Sequence, residues 1–76
     1  MSHRPVKRSL TLQGHRTSVS LEHEFWDALR EIARAEGRSL SALAAEIDAA
    51  RPPDLGLATA IRLHILRHFR RSDRAG

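Results

Sequence analysis

The stretch that decides the fold runs from His15 to Asp48: HRTSVSLEHEFWDALREIARAEGRSLSALAAEID. Its first seven residues alternate. Thr17, Val19 and Leu21 fall on one face of an extended chain, and Arg16, Ser18 and Ser20 on the other, the period of a half-buried strand. At Glu22 the period changes. Phe25, Leu29, Ile32 and Ala33 follow i, i+4, i+7, i+8, which predicts a helix over Glu22 to Glu36. Glu22 sits where an N-cap belongs, and Glu22 and Glu24 suit the positive end of the helix dipole. Gly37 is the predicted stop, since glycine tolerates the left-handed conformation in which helices end. Trp26 borders the stripe and reads as a half-buried core or interface residue. Ser39 is the predicted N-cap of a second helix, about Leu40 to Ala49, with Leu40, Leu43, Ala44 and Ile47 as its apolar stripe.

Upstream, Leu10 and Leu12 alternate with Ser9, Thr11 and Gln13, but the apolar parity switches from even to odd around Gly14. An unbroken strand keeps its parity, so Gly14-His15 reads as either a bulge or a turn. Downstream, Arg51-Pro52-Pro53 ends the second helix, because a residue before proline is pushed out of the helical region. Asp54 is the predicted cap of a third helix, about Leu55 to Arg71. Its Leu57, Ile61, Leu63, Ile65, Leu66 and Phe69 make it apolar on more than one side, and Arg67, Arg70 and Arg71 complement the negative end of its dipole. The expected organisation is one domain over 1–76: a flexible basic arm (1–6), a strand-helix-helix unit (7–50), a third helix (54–71) and a frayed tail (72–76). The chain reads as mainly helical with one N-terminal strand. Such a strand lacks a partner in its own chain unless Gly14 makes a hairpin. Unpaired strand edges recruit other chains, so the simplest closure is a two-fold dimer with each strand antiparallel to its copy.

At 76 residues the chain allows one small domain, which buries only about 60% of the surface its unfolded form exposes. It has no cysteine to staple it, so oligomerisation is one of the few remedies for a small core. Lys and Arg number 13 against 9 Asp and Glu, a formal net charge of +4. All the bases but Lys7 are arginines, which suit planar, bidentate contacts to phosphates and base edges. The charge is unevenly laid out: +4 over residues 1–16, −4 over 17–61 and +4 over 62–76. A body with two basic ends points to an anionic polymer or surface as partner. No apolar run approaches the ~20 residues of a membrane span, and no apolar stretch follows the N-terminal bases as in a signal peptide; the expectation is a cytoplasmic protein.

The strand, the Gly-terminated helix and the Ser-capped helix, in that order, resemble the Arc/MetJ-like ribbon-helix-helix family of DNA-binding proteins. The wording GHRTSVSLE…FWDALREIA is most similar to a bacterial subgroup, and the resemblance covers roughly residues 7–66, including LGLATAIRLHIL. It implies an intertwined homodimer whose two-stranded antiparallel ribbon enters the major groove of double-stranded DNA. By position, Arg16, Ser18 and Ser20 would face the bases. Arginine makes the commonest specific contact, bidentate to guanine. A phosphate would be clamped at the start of the second helix by Ser39, Leu40 and Ser41 with Arg38 beside them, because free N–H groups and the dipole favour an anion there. Arg4, Lys7 and Arg8, ahead of the strand, would form an arm lying along the phosphates or reaching a minor groove. Val19, Leu21, Phe25, Leu29, Ile32, Leu43 and Ile47 would form the dimer core.

The function these observations imply is a small homodimeric DNA-binding protein, a transcriptional regulator. The alternative is a protein-interaction module, antitoxin-like or docking on an anionic surface through the basic third helix. His64 and His68 stand i, i+4 on that helix, but two ligands are too few for a zinc site. No nucleophile, histidine and acid arrangement and no Gly-rich phosphate loop stands out, so no catalytic residue, cofactor or metal is expected.

Overall fold

The computed structural model describes residues 4–75. Two strands, β1 (Val6–Leu12) and β2 (His15–Leu21), are followed by three helices, α1 (His23–Ala35), α2 (Leu40–Ala50) and α3 (Leu57–Ala75).

The parity switch at Gly14 is a hairpin turn. Gln13 and Gly14 both adopt positive φ, +51° and +85°, the combination of a two-residue turn whose twist matches that of the flanking strands. β1 and β2 pair antiparallel, from Leu12 opposite His15 to Val6 opposite Leu21. Each pair joins an even-numbered residue to an odd-numbered one. Leu10 and Leu12 therefore share a face with Thr17, Val19 and Leu21, and the sequence parity inverts although the sheet face does not. The antiparallel ribbon is thus present, but both of its strands come from one chain. There are two N-terminal strands where the sequence reading had one, and the ribbon closes without a second copy.

α1 ends as predicted. Gly37 has φ +66°, its N–H donates to the Arg34 carbonyl at 3.1 Å, and the Arg38 N–H donates to the Ala33 carbonyl at 2.9 Å. This pair of bonds is a Schellman closure. Glu22 occupies the N-cap position without capping through its side chain. Its carboxylate accepts instead from Arg62 Nε and Nη2 of α3, at 3.0 and 2.7 Å. α2 is capped by Ser39, whose Oγ accepts from the Ala42 N–H at 3.0 Å, and stops at Arg51, extended before Pro52. α3 differs from the expectation at both ends. Its first helical bond runs from the Ala60 N–H to the Gly56 carbonyl, so Asp54 lies in the turn before the helix and does not cap it. At the other end the helix passes Ser72 and continues to Ala75.

The inner face of the ribbon packs on the helices. Leu10, Leu12, Val19 and Leu21 meet Trp26, Leu29, Ile32, Ala33, Leu43, Ala44, Ile47, Ala60, Ile61 and Ile65 in one buried cluster. Each large aliphatic side chain closed off there contributes about 1.5–3 kcal/mol. Of the residues assigned to a dimer core, Val19, Leu21, Leu29, Ile32, Leu43 and Ile47 are buried within the single chain, whereas Phe25 is only partly buried. Trp26 is the correction on this helix: expected half-buried at the margin, it is fully buried. Its indole Nε1–H donates to the Val6 carbonyl of β1 at 2.9 Å, which holds the ring inward. The buried stripe is Trp26, Leu29, Ile32 and Ala33, which turns Phe25 to the edge, under Arg62. Residues 1–3 of the predicted arm lie outside the described residues, and Val6 already belongs to β1.

Candidate nucleic-acid interface

The face of the ribbon turned away from the helices carries Lys7, Ser9 and Thr11 from β1 and Arg16, Ser18 and Ser20 from β2. They pair across the strands as Lys7 with Ser20, Ser9 with Ser18, and Thr11 with Arg16. All six are exposed. The face holds no acid and no large apolar group, and its two cations stand at opposite ends, Lys7 at the open end and Arg16 at the turn. At a strand rise of about 3.3 Å per residue these ends are ~13 Å apart. The β2 residues were predicted from alternation alone. Ser9 and Thr11 were missed as members of the face. Their signal is the odd-even pairing, which becomes visible once Gly14 is taken as a two-residue turn.

Lys7 and Arg8, predicted together as phosphate contacts, point to opposite sides. Lys7 is on the outer face. Arg8 is on the helix side, with its guanidinium 5.8 Å from the Trp26 ring centroid, within reach of a cation–π attraction. The indole Nε1–H of Trp26 donates to the Val6 carbonyl at 2.9 Å. Trp26 therefore fixes the open end of β1 by a hydrogen bond while carrying Arg8 on its ring.

At the start of α2, Ser39 caps the helix, and the first intrahelical backbone bond runs from the Leu43 N–H to the Ser39 carbonyl. The amides of Leu40 and Ser41 precede that bond, which leaves them for an outside acceptor. Arg38 is differently occupied. Its guanidinium donates to Glu46 at 3.0 Å, to Glu36 at 3.3 Å and to the Ala42 carbonyl at 3.2 Å, bracketing the junction of α1 and α2. The hydrogen bond and charge of Arg38 hold the Glu46 carboxyl below its ordinary pKa, and Glu46 in turn raises that of Arg38.

The turn end of the ribbon and the start of α2 face each other across one open groove of about 460 Å³, lined by Thr11 and Gln13 on one side and by Arg38, Ser41, Ala42, Ala45 and Glu46 on the other. Thr11 is the cross-strand partner of Arg16. Of the predicted groups only Arg38 and Ser41 line this groove; Arg16 lines a neighbouring cavity with Ala45, Asp48 and Arg51, and Ser18 and Ser20 line neither.

His64 and His68 remain without further ligands: among the described residues no three His, Cys, Asp or Glu side chains gather into a metal-binding group. His64 Nε2 is buried without a hydrogen-bond partner, and that burial lowers its pKa below 6.5. No helix among the described residues is long and apolar enough to cross a membrane.

A family model described as a ribbon-helix-helix domain matches residues 5–69. The chain belongs to the ribbon-helix-helix family. Membership points to a regulatory DNA-binding module, not an enzyme, and to a domain that dimerises. No curated protein and no solved structure matches the chain.

Proposed function

We propose that this protein is a homodimeric transcriptional regulator that lays the outer face of its ribbon in the major groove of double-stranded DNA. The observation that carries this reading is the outer face itself: six exposed polar side chains, none acidic, with Lys7 and Arg16 at its ends. Among the described residues β2 pairs only with β1, so its second edge is open to a copy of itself. Pairing β2 with the partner's β2 across a two-fold axis would place the two β1 strands outside. Strands lie about 4.8 Å apart and the major groove is about 12 Å wide, so the central pair fits inside and the outer strands run along its walls. Arg16, Ser18 and Ser20 then face bases, and Lys7 faces phosphates, with Arg8 adding its charge from the rim of Trp26. The amides of Leu40 and Ser41, on the helix that Ser39 caps, hold a phosphate at the groove mouth, and Arg38 sets their position through Glu36 and Glu46. Burial of Val19, Leu21, Leu29, Ile32, Leu43 and Ile47 within each chain supports a dimer built on strand edges.

The test is duplex binding measured over a range of salt. Affinity should fall steeply with salt, as counterions return to the phosphates. Ser18→Glu, which adds a carboxylate to the centre of an exposed face, should abolish binding while the protein stays folded. Unchanged binding by a folded Ser18→Glu variant would refute the ribbon as the contact surface.

A further inference from the structure

Where α3 packs on the end of α2, a cavity of about 170 Å³ remains. Its wall is apolar over Ile47, Leu55 and Leu63, its charged or titratable groups are Arg51, His64 and Arg67, and no acid lines it. Three larger cavities among the described residues each include a carboxylate in the wall: Asp48 in one, Asp27 and Glu31 in another, Glu46 in the third. Arg51 is already committed. Its Nε donates to Asp48 at 2.7 Å and its Nη1 to the Leu55 carbonyl at 2.6 Å. Arg67 is exposed and makes no ion pair among the described residues. His64 Nε2 is buried without a hydrogen-bond partner, although buried polar atoms are normally satisfied. The acids whose charge reaches His64 are Glu36 and Glu46, and Arg38 binds both. From α3 itself, His68 and Arg71 act on it as positive neighbours.

We propose that this cavity is a binding site for a small organic monocarboxylate whose apolar body is one ring or a short branched chain. The volume sets the size: an engineered apolar cavity of about 150 Å³ holds a benzene ring. The body would rest on Ile47, Leu55 and Leu63. The carboxylate would accept from Arg67 and from the His64 imidazole, and hydrogen bonds to a charged group are the strong ones. A neutral apolar molecule leaves both donors unanswered, and a cation meets Arg67 as a like charge. A peptide segment exceeds the volume. No residue assigned to the DNA interface lines the cavity, so its occupancy stands or falls apart from DNA binding.

The probes are benzoate and 3-methylbutanoate, titrated calorimetrically into the full chain, with benzamide and benzylamine as the neutral and cationic counterparts of benzoate. At least one carboxylate should bind. Benzamide should bind about tenfold more weakly than benzoate, the usual difference for losing a charged partner, and benzylamine should not bind. Arg67→Gln should weaken benzoate by a similar factor. Ala50 also lines the cavity and is exposed, so Ala50→Leu should fill the space and abolish binding while circular dichroism shows the parent fold. Arg16→Ala should leave benzoate affinity unchanged. The His64 imidazole gives a readout of position. Its burial lowers its pKa, and an anion beside it raises that pKa, so nuclear magnetic resonance should show His64 titrating at higher pH with benzoate than without. Binding of neither carboxylate, equal affinity for benzoate and benzylamine, parental affinity in folded Ala50→Leu or Arg67→Gln protein, or a His64 titration that benzoate leaves in place would each overturn the proposal.

Discussion

Arg16 is the one charged side chain that β2 shows on its outer face, and it stands opposite Thr11 at the end of the ribbon nearest α2. If it holds a guanine, Arg16→Ala should cost about 1–3 kcal/mol of DNA binding and relax preference at that base. Titrations on a set of single-base variants would check this, and an equal loss on every sequence would make it a phosphate contact. His64 acts on stability. Burial first, then His68 and Arg71, lower its pKa, against the raising effect of Glu36 and Glu46. A histidine with a depressed folded pKa binds fewer protons folded than unfolded, so stability falls as pH drops below 6.5 and levels off beneath the folded pKa. Denaturant midpoints between pH 7 and pH 5 should decline in the parent and decline less in His64→Gln.

Two elements carry the interface, the hairpin and the start of α2. Gly14 has φ +85° with nothing within 4 Å of where a Cβ would stand, so Gly14→Ala costs backbone strain alone, about 1–2 kcal/mol, readable as a shifted denaturant midpoint. At α2, Ser39→Ala should cost about 1 kcal/mol of stability while changing DNA affinity little, since the amide donors remain. Ser41→Pro is tolerated in a first helical turn but deletes one of those donors. It should weaken binding on all sequences alike, because a phosphate contact carries no base information. A folded Ser41→Pro protein with parental affinity would remove this helix end from the interface. These elements were legible in the sequence to different depths. The alternation of β2, the Gly37 stop and the Ser39 cap are local signals, and each is where the reading placed it. The hairpin was half legible. Gly14 marked a break, but Gln13 at φ +51° gives no sign in its own chemistry, so the choice between bulge and turn rested on pairing partners that period-two reading does not contain. Ser9 and Thr11 were lost from the site for the same reason. Trp26 and Phe25 exchanged places because the indole of Trp26 is held inward by its hydrogen bond to the Val6 carbonyl, a contact distant in sequence that helical periodicity does not contain. The bracketing of Arg38 by Glu46 is a tertiary contact with no local mark.

For the whole molecule, a ribbon closed within one chain changes what a dimer is for. The core no longer requires the second copy, so a dimer would supply an aligned pair of ribbon faces. Val19 is buried in that core, and Val19→Asp should unfold each chain by burying a charge, seen as loss of helical circular dichroism. Sedimentation equilibrium of the parent should show a concentration-dependent dimer. The most direct measurement is dimethyl sulfate footprinting on a duplex selected by the protein for tight binding. The reagent methylates guanine N7, an acceptor in the major groove. With the ribbon in that groove and Arg16 on a guanine, the parent should protect guanine N7 at a defined position in each half-site, and Arg16→Ala should restore its reactivity. Tight binding with every guanine N7 as reactive as in free DNA would contradict the assignment of the ribbon's outer face to the major groove.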